Sequence, residues 1–418
     1  MQREMTSQFM ETDTATVPLT APARSKLGRV LMLTNALGWG GGAEEQVMLL
    51  SVGLRARGWT VKIVSLLPLY PLSPELQSSD ISISSLHMKP GVPDPRAMIR
   101  LRRELRSFRP DIVHCHMPQA NLLGRAVRPF CGFPVLISTL HNLTMERING
   151  SSGRFLERAH GYTDRFSDVT TVICTPAVEH YVAQRAVPQS KITVLYNGVN
   201  TKNFQPDLAA RMRVRRDLGV ADKFVWLAIA RFEKAKAYPN MIRAFQTVVA
   251  NASKKPVILI CGRGSLEAEI RSQVHSSGLD EYVKFIGVRQ DVPDIMNGAD
   301  AFVLSSYLEG LPMVLLQAAS VGMPIVATNV GGNSEVVIDG LNGYTAPPED
   351  DTALARAMTQ VMQLSEAERA AMAERGRQLI RQTFDIERIL DRWESIYEEK
   401  LRSKLTATSI EDKSDHKW

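Results

Sequence analysis

The sequence predicts an α/β protein of two Rossmann-like domains that face each other across a cleft. Three observations predict this fold. Short apolar segments rich in β-branched residues alternate with helical segments, as is typical of parallel sheets covered on both faces. The alternation occurs twice, and a break containing Asn197, Gly198 and Pro206 separates the two halves. Because ligands of such sheets bind beyond the carboxyl ends of the strands, two facing sheets create a site between the domains.

The first domain is predicted to span residues 27–200, after a flexible polar tail at residues 1–26 that lacks the apolar core of a signal peptide. Its predicted strands are Arg29–Leu33, Thr60–Leu66, Asp111–Cys115, Pro134–Leu140, Val169–Cys174 and Ile192–Leu195. Its predicted helices include Ala43–Arg57, Pro95–Ser107 and Gln119–Phe130.

The second domain is predicted to span residues 201–382. Its predicted strands are Phe224–Ala230, Pro256–Cys261, Val283–Ile286, Ala301–Leu304 and Pro324–Ala327, and its predicted helices are Tyr238–Ala250, Ser265–Ser276, Leu311–Val321 and Asp351–Met362. The segment Ser365–Lys404 is amphipathic and predicted to be helical, with Trp393 and Tyr397 on one face. We expect its last part, residues 383–404, to pack back on a domain and residues 405–418 to form a polar tail.

Composition excludes several classes of protein. The chain is 44% hydrophobic and 22% charged, which is typical of a folded protein. No run approaches the roughly 18 apolar residues of a membrane span. The four scattered cysteines predict buried thiols in a reducing compartment. We therefore expect a cytoplasmic protein that is soluble or peripheral at the inner face of the membrane.

The net charge of +6 is unevenly distributed. Arginines concentrate in the predicted helix at residues 95–107, at Arg96, Arg100, Arg102, Arg103 and Arg106. This helix predicts a surface for anionic lipid or for a polyanionic acceptor; a merely solvated helix face is the alternative. Nucleic acid is not expected as a partner, because aromatic side chains do not interleave with these arginines.

A glycine-rich loop at Gly38–Glu44 follows the first strand and precedes a helix. Such glycines allow a ligand to approach the backbone, and the helix N-terminus favours negative charge. Gly38, Gly40 and Ala43 also fit the dinucleotide pattern. Against a nicotinamide cofactor, the loop begins several residues after the strand, and the second strand ends without an acidic residue for a ribose. A purely structural loop is the other alternative.

Two further clusters follow strands of the second half. Arg231 and Lys236 lie after a strand and before a helix, where two cations can bind a diphosphate and stabilise a leaving group, although they can also be solvated loop cations. The segment Ser305–Pro312 opens a helix whose first N–H groups can bind hydroxyl or phosphate oxygens, and Pro312 suits its first turn. Within it, Glu309 can accept hydrogen bonds from a sugar, and Gln317 lies two turns further on.

The histidines and carboxylates bear on metals. His114 and His116 point to one face of a strand but lack a third ligand, so we expect hydrogen-bonded core histidines rather than a metal site. His141 follows a strand, where it can belong either to a site or to the scaffold. The chain contains no Asp-x-Asp pair of the kind that holds a divalent cation on a diphosphate. We therefore expect neither a metal nor a cofactor, with Arg231 and Lys236 neutralising the phosphates.

The chain resembles the retaining family 4 glycosyltransferases of the GT-B fold, also known as glycosyl transferases group 1, from about Leu27 to Tyr397. The resemblance depends on the order and spacing of several stretches: Gly41–Glu44, Asp111–His116, Ser138–Asn142, Tyr196–Asn200, Ala230–Lys236, Cys261–Gly264, Phe285–Val288 and Leu308–Gly343.

The resemblance implies roles for individual residues. Arg231 and Lys236 would bind the donor diphosphate, and Glu309 would face the donor sugar. His141 would line the sugar and acceptor side. The remaining donor-binding residues would be Gly41, Gly42, Gly264, Val288, Gly310, Leu311, Pro312, Met313, Val314 and Gln317. Two positions depart from the family pattern: Gln317 replaces the second glutamate, which typically holds the nucleotide ribose, and Ala237 replaces a frequent glycine.

The resemblance implies metal-independent transfer of a sugar, with retention of configuration, from a UDP- or GDP-sugar to a glycan or lipid-linked acceptor. Assembly of a surface or exopolysaccharide is the expected setting. A nucleotide-sugar epimerase of the GT-B type and a donor-binding protein without catalysis remain as alternatives; Gln317 motivates the second.

Overall fold

The computed structural model describes residues 27–38, 41–92, 94–144 and 151–414. It has the predicted α/β architecture, with two parallel sheets covered by helices. In the first sheet the described strands run in the order β3-β2-β1-β4-β5-β6-β7. These strands are β1 Arg29–Thr34, β2 Thr60–Ser65, β3 Ser82–Ser85, β4 Ile112–His116, β5 Val135–Leu140, β6 Val169–Val172 and β7 Ile192–Val194.

Helices cover both faces of this sheet because its strands are apolar on both sides. The helices of the first domain are α1 Gly42–Ala56, α2 Pro74–Gln77, α3 Arg96–Phe108, α4 Pro118–Val127, α5 Ser151–Thr163 and α6 Thr175–Ala183. Val30 and Met32 of β1 pack with α1, whereas Leu31 and Leu33 pack with α3 and α4. Successive side chains of a strand point to opposite faces, which explains this division.

The second sheet has the described strand order β10-β9-β8-β11-β12-β13. Its strands are β8 Val225–Ile229, β9 Val257–Cys261, β10 Val283–Gly287, β11 Ala301–Leu304, β12 Ile325–Thr328 and β13 Gly343–Ala346. The helices around it are α7 Leu208–Asp217, α8 Tyr238–Asn251, α9 Glu267–Ser276, α10 Val292–Gly298, α11 Met313–Val321, α12 Asn333–Val336, α13 Asp351–Gln363 and α14 Glu366–Thr383. None of the helices described is both long and apolar enough to cross a bilayer.

The chain passes between the domains at two adjacent points. Val199 pairs with Asp385, with the Val199 N–H donating to Phe384 O at 2.9 Å and the Ile386 N–H to Val199 O at 3.0 Å. After this crossing, α15 Ile386–Ser414 packs on the first domain. Its Tyr397 ring lies 5.5 Å from that of Trp59.

The crossing corrects the prediction of one helix over Ser365–Lys404, because the chain leaves helical geometry at Phe384 to pair with Val199. The last helix also runs to Ser414, beyond the predicted limit of 404. The predicted tail at 1–26 and residues 415–418 lie outside the described residues.

Sequence periodicity missed β3 and β13. The strand β3 reads Ser-Ile-Ser-Ser at the sheet edge, and β13 begins with a glycine, so neither contains an apolar run. Three of the cysteines are buried, as predicted, and Cys131 is half-buried; all four are free thiols.

Candidate functional site

Both sheets reverse their strand order next to a candidate residue. The first sheet reverses between β1 and β4, and the second between β8 and β11. Such switch points are the places where parallel sheets bind ligands. Arg231 and Lys236 follow β8, and Glu309 follows β11. Arg231, Lys236 and Glu309 therefore follow the two strands that flank one switch point.

Lys236 and Glu309 form an ion pair at this point. The Lys236 ammonium lies 2.6 Å from Glu309 Oε1, and Ser306 Oγ donates to the same oxygen at 2.6 Å. The two charged side chains are only 18% and 9% exposed. The Ser305 hydroxyl donates to the backbone oxygen of Lys236 at 2.9 Å, which fixes the turn that carries the lysine. The ammonium is thus held in place before any ligand arrives, as electrostatic preorganisation requires.

The residue after Lys236, where the resemblance implies a frequent glycine, lies in a strained turn. Ala237 has φ 46° and ψ 43°, in the left-handed region. A side chain there is strained, whereas glycine adopts this conformation freely. Ala237 adopts this conformation with only a methyl group to accommodate.

Arg231 lies across from the first domain. Arg231 is exposed, and its guanidinium forms no hydrogen bond or ion pair with any other described residue. Burial raises the pKa of Glu44 in α1, and the positive charge of Arg231 partly opposes that increase. The guanidinium is therefore close enough to the start of α1 to act on it electrostatically.

Two helix N-termini from different domains meet beside these cations. Gly41 is the N-cap of α1, and a Cβ on Gly42 would lie 3.2 Å from Met313 Cγ at the start of α11. The first-turn N–H groups of both helices lack helical acceptors, so each end favours an anion. The starts of the two helices therefore meet where the domains face each other, and Arg231 acts electrostatically on Glu44 at the first of them.

The start of α11 differs from the prediction. The helix begins at Met313 and not at Leu311, and Pro312 is its N-cap instead of a first-turn residue. The Leu311 side chain is buried, and its backbone oxygen accepts from Asn197 Nδ2 at 3.1 Å. The free first-turn N–H groups are consequently those of Met313 and Val314.

Gly310 touches the first domain directly. A Cβ at this position would lie 2.6 Å from the backbone oxygen of His141, which follows β5. His141 is only 7% exposed, and burial lowers the pKa of its imidazole to about 4. His141 and the Glu309–Gly310 turn therefore lie on opposing walls of the site, and the imidazole is neutral near pH 7.

Gln317 has a partner that the sequence did not indicate. Its Nε2 donates to Glu45 Oε1 at 2.8 Å, across the domain interface. Burial raises the pKa of the Glu45 carboxyl to about 7, and the hydrogen bond from Gln317 opposes that increase. Although Gln317 replaces the second glutamate of the pattern, a carboxyl group lies beside it, supplied by Glu45 of the first domain.

The remaining predicted donor residues lie around the loops after β9 and β10. A Cβ on Gly264 would lie 2.4 Å from Phe232 O, so glycine lets this loop pass against the one that carries Arg231. Val288 is 58% exposed and follows Gly287, whose φ is 68°. Gly40 lies outside the described residues, and Gly38 packs against the Tyr70 side chain.

His114 and His116 are buried and hydrogen-bonded, as expected. His114 contacts Tyr397 Oη and Thr139 Oγ1, each at 2.7 Å. His116 Nδ1 lies 3.0 Å from His141 Nε2. Among the residues that the structure describes, no group of three or more His, Cys, Asp or Glu side chains is arranged to hold a metal.

Further hydrogen bonds lie where the two domains meet. Glu335 of the second domain accepts from the Thr175 N–H at 2.8 Å and from its hydroxyl at 3.1 Å, at the start of α6. The Gly198 N–H donates to Gln46 Oε1 at 2.9 Å. The sequence singled out the glycine turn that ends at Glu335 but not its contact with Thr175, and it did not indicate Glu45. Only the relative placement of the domains brings these side chains together.

Two family models match the chain. The model described as glycosyl transferase 4-like domain covers residues 41–198, and the model described as glycosyl transferases group 1 covers residues 211–379. The boundary between them falls where the chain first crosses between the domains.

Individual relatives share a low sequence identity with this chain, but the similarity extends over most of its length. The chain is 26% identical to an Escherichia coli UDP-Gal:α-D-GlcNAc-diphosphoundecaprenol α-1,3-galactosyltransferase, over 65% of this chain and 71% of that one. It is 24% identical to the Staphylococcus aureus capsular polysaccharide biosynthesis glycosyltransferase CapM, over 73% and 80%. Among solved structures, Anabaena HepE in complex with UDP-glucose superposes with a TM-score of 0.76 at 22% identity, over 90% of this chain and all of that one.

Proposed function

The chain belongs to the group 1 glycosyltransferases of the GT-B fold, and on that premise we propose a specific reaction for it. The protein transfers a hexose, with retention of anomeric configuration and without a metal, from a uridine diphosphate sugar to a glycan or lipid-linked acceptor. The observation that carries the proposal is the preformed Lys236–Glu309 pair beside Arg231, where two helix N-termini converge.

The chemistry follows from the charges at this point. The bond between the anomeric carbon and the β-phosphate oxygen breaks, and a bond from that carbon to the acceptor oxygen forms. The proton of the acceptor hydroxyl passes to the departing phosphate. Arg231, Lys236 and the N–H groups of Met313 and Val314 offset the negative charge that develops on the diphosphate. Attack from the same face as the leaving group retains the configuration.

Donor and acceptor are assigned to different walls of the cleft. Gly41, Gly42 and the turn from Gly310 to Val314 contact phosphates and sugar, Gln317 and Glu45 lie at the ribose, and Gly264 and Val288 border the base. The acceptor approaches from the side of His141. Uridine is favoured over guanosine because the E. coli relative is named for a UDP-sugar and HepE binds UDP-glucose.

The biological setting that we propose is assembly of a surface polysaccharide. The E. coli relative is named for a diphosphoundecaprenol-linked acceptor and the S. aureus relative for capsule biosynthesis. Both relatives are named as transferases, which favours transfer over epimerisation.

Purified protein is expected to release UDP from one member of a UDP- and GDP-sugar panel when an acceptor is present, also after treatment with a chelator. NMR of the product should show the anomeric configuration of the donor. Isomerisation of the donor sugar without acceptor would favour an epimerase, and tight donor binding without turnover would favour a binding protein. Inversion of configuration would contradict the proposed stereochemistry.

We also propose that the outer face of α3 contacts the cytoplasmic face of a membrane. Arg96, Arg103 and Arg106 are exposed on this helix, and Ile99 between them is 56% exposed. Arg100 is less available than its position suggested, because it is half-buried and paired with Asp94. Arginines around an exposed apolar side chain are suited to anionic headgroups.

This membrane contact predicts a charge-dependent binding. The triple variant Arg96→Glu, Arg103→Glu, Arg106→Glu should lose binding to vesicles containing anionic lipid, since each basic residue near the surface contributes about 1 kcal/mol. Cosedimentation measures it. A matched control reverses Arg216, Lys254 and Arg356, which are exposed on the second domain, and should bind as the unmodified protein does. Equal binding of both triple variants would refute the contact.

A further inference from the structure

The His141 imidazole is held by a neighbour that the reaction does not use. Its Nε2 lies 3.0 Å from Nδ1 of His116. His116 is completely buried and ends β4, where it is paired in register with Thr139 of β5; His141 lies two residues after Thr139, just beyond the end of β5. His141 is therefore the histidine nearer the cleft, and His116 contacts it from within the sheet.

His116 itself has little freedom. Its ring centroid lies 4.0 Å from that of His114, and both nitrogens of His114 are engaged by Tyr397 and Thr139. The rings of His116 and His141 are inclined by 33°, with centroids 5.3 Å apart. The neighbouring rings of His114 and His141 therefore restrict the His116 ring to an orientation in which its Nδ1 faces His141.

Two buried nitrogens of the pair have no partner among the described residues: His116 Nε2 and His141 Nδ1. Only one ring can donate in the bond between them. If His141 donated through Nε2, the spare N–H would be that of His116, buried in the sheet. If His116 donates through Nδ1, the spare N–H is Nδ1–H of His141, which is also buried but belongs to the residue that contacts Gly310 of the other domain.

Each arrangement leaves one buried N–H without a partner, which is costly in a protein interior. The second arrangement is favoured because it places that N–H on His141, which is 7% exposed and lies against Gly310 of the other domain, and not on the completely buried His116. A ligand that enters the cleft can supply the missing acceptor only in this arrangement. Burial also lowers the pKa of both rings, so neither ring needs to carry a charge near pH 7.

We propose that His116 is a positioning residue that holds His141 as the Nδ1–H tautomer, so that His141 donates a hydrogen bond to an oxygen of the sugar or acceptor. This role rests on the proposed transfer reaction. The neutral His141 imidazole orients an oxygen of the ligand without adding a further positive charge to those of Arg231 and Lys236. The free energy of this hydrogen bond is gained only when a ligand occupies the cleft.

Two variants separate the hydrogen bond from the packing. His116→Asn keeps a polar group near the position of Nδ1, whereas His116→Phe fills the space and removes the hydrogen bond. We expect His116→Phe to lower kcat about tenfold, the worth of one buried hydrogen bond. His116→Asn should stay within about threefold of the unmodified protein. The melting-temperature increase on adding UDP should be unchanged in both, because the diphosphate is bound elsewhere.

NMR determines the tautomer of His141 independently of enzymatic activity. In ¹⁵N NMR of the full-length protein labelled at histidine, His141 should show a protonated Nδ1 and an unprotonated Nε2, with the signals assigned by their loss in His141→Gln. Only His116→Phe should alter this pattern. A protonated Nε2 on His141, or unchanged kcat in His116→Phe, would overturn the proposal. If no nucleotide sugar is turned over, the transfer reaction fails, while the NMR result still decides the tautomer.

Discussion

Replacing Lys236 by alanine is expected to lower kcat by about 10²–10³-fold, the effect of removing one preorganised group that stabilises charge in a transition state. The lysine ammonium is fixed at the switch point of the second sheet by Glu309, 2.6 Å away. The measurement is nucleotide release at saturating donor. Lys234→Ala is the matched control, since this exposed lysine lies in the same turn, and it should retain activity.

The loss in Lys236→Ala has a second possible cause, and a double variant isolates it. Without Lys236 the Glu309 carboxylate, 9% exposed, loses its charged partner, and an unpaired buried charge is itself disruptive. Lys236→Ala combined with Glu309→Gln removes that charge. If Lys236 stabilises the leaving diphosphate, the double variant stays inactive. Recovery of turnover would show that the lysine serves only to neutralise Glu309.

Restoring the glutamate of the family pattern at position 317 is expected to weaken donor binding by about tenfold or more, instead of strengthening it. Glu45 Oε1 lies 2.8 Å from Gln317 Nε2. Gln317→Glu would place two carboxylates in that contact, and like charges so close cannot both remain ionised without cost. Donor KM and UDP affinity at pH 8 measure the effect.

The same contact predicts a rescue and a pH dependence. Glu45→Gln in the Gln317→Glu background exchanges the two groups and should restore donor affinity to within a few fold. Burial raises the folded pKa of Glu45 to about 7, above its ordinary value of 4.5, so protonation favours the buried position of this carboxyl and ionisation at rising pH opposes it. Donor affinity of Gln317→Glu should therefore recover as the pH falls from 8 to 6. Improved binding by the single variant at pH 8 would refute the contact.

Much of the site could be predicted because its residues follow strands of parallel sheets. The sequence placed Arg231, Lys236 and Glu309 after strands, and the structure shows that β8 and β11 are neighbours at a switch point, where Lys236 pairs with Glu309. The glycines at 41, 42 and 310 also indicated backbone approach, and each contacts a neighbouring group where a side chain would have to be accommodated. Their roles toward a donor remain predictions.

What the sequence could not predict depends on how the domains meet. The contacts of Gln317 with Glu45 and of Glu335 with Thr175 join residues more than a hundred positions apart in different domains. The contact of His116 with His141 required the register of β4 on β5. No proline or glycine marks the helix break at Phe384, where the chain pairs with Val199. The local signal that the sequence reasoning overlooked is Asp385, whose carboxylate accepts from the Glu387 N–H at 2.9 Å at the start of the last helix.

A crystal structure with UDP, grown from metal-free protein, tests the central claim most directly. We predict that both phosphates lie within hydrogen-bond distance of Arg231 and Lys236, facing the N–H groups at the start of α11, without a cation between them. A nucleotide lying elsewhere in the cleft, or phosphates bridged by a metal ion instead of these side chains, would contradict the account.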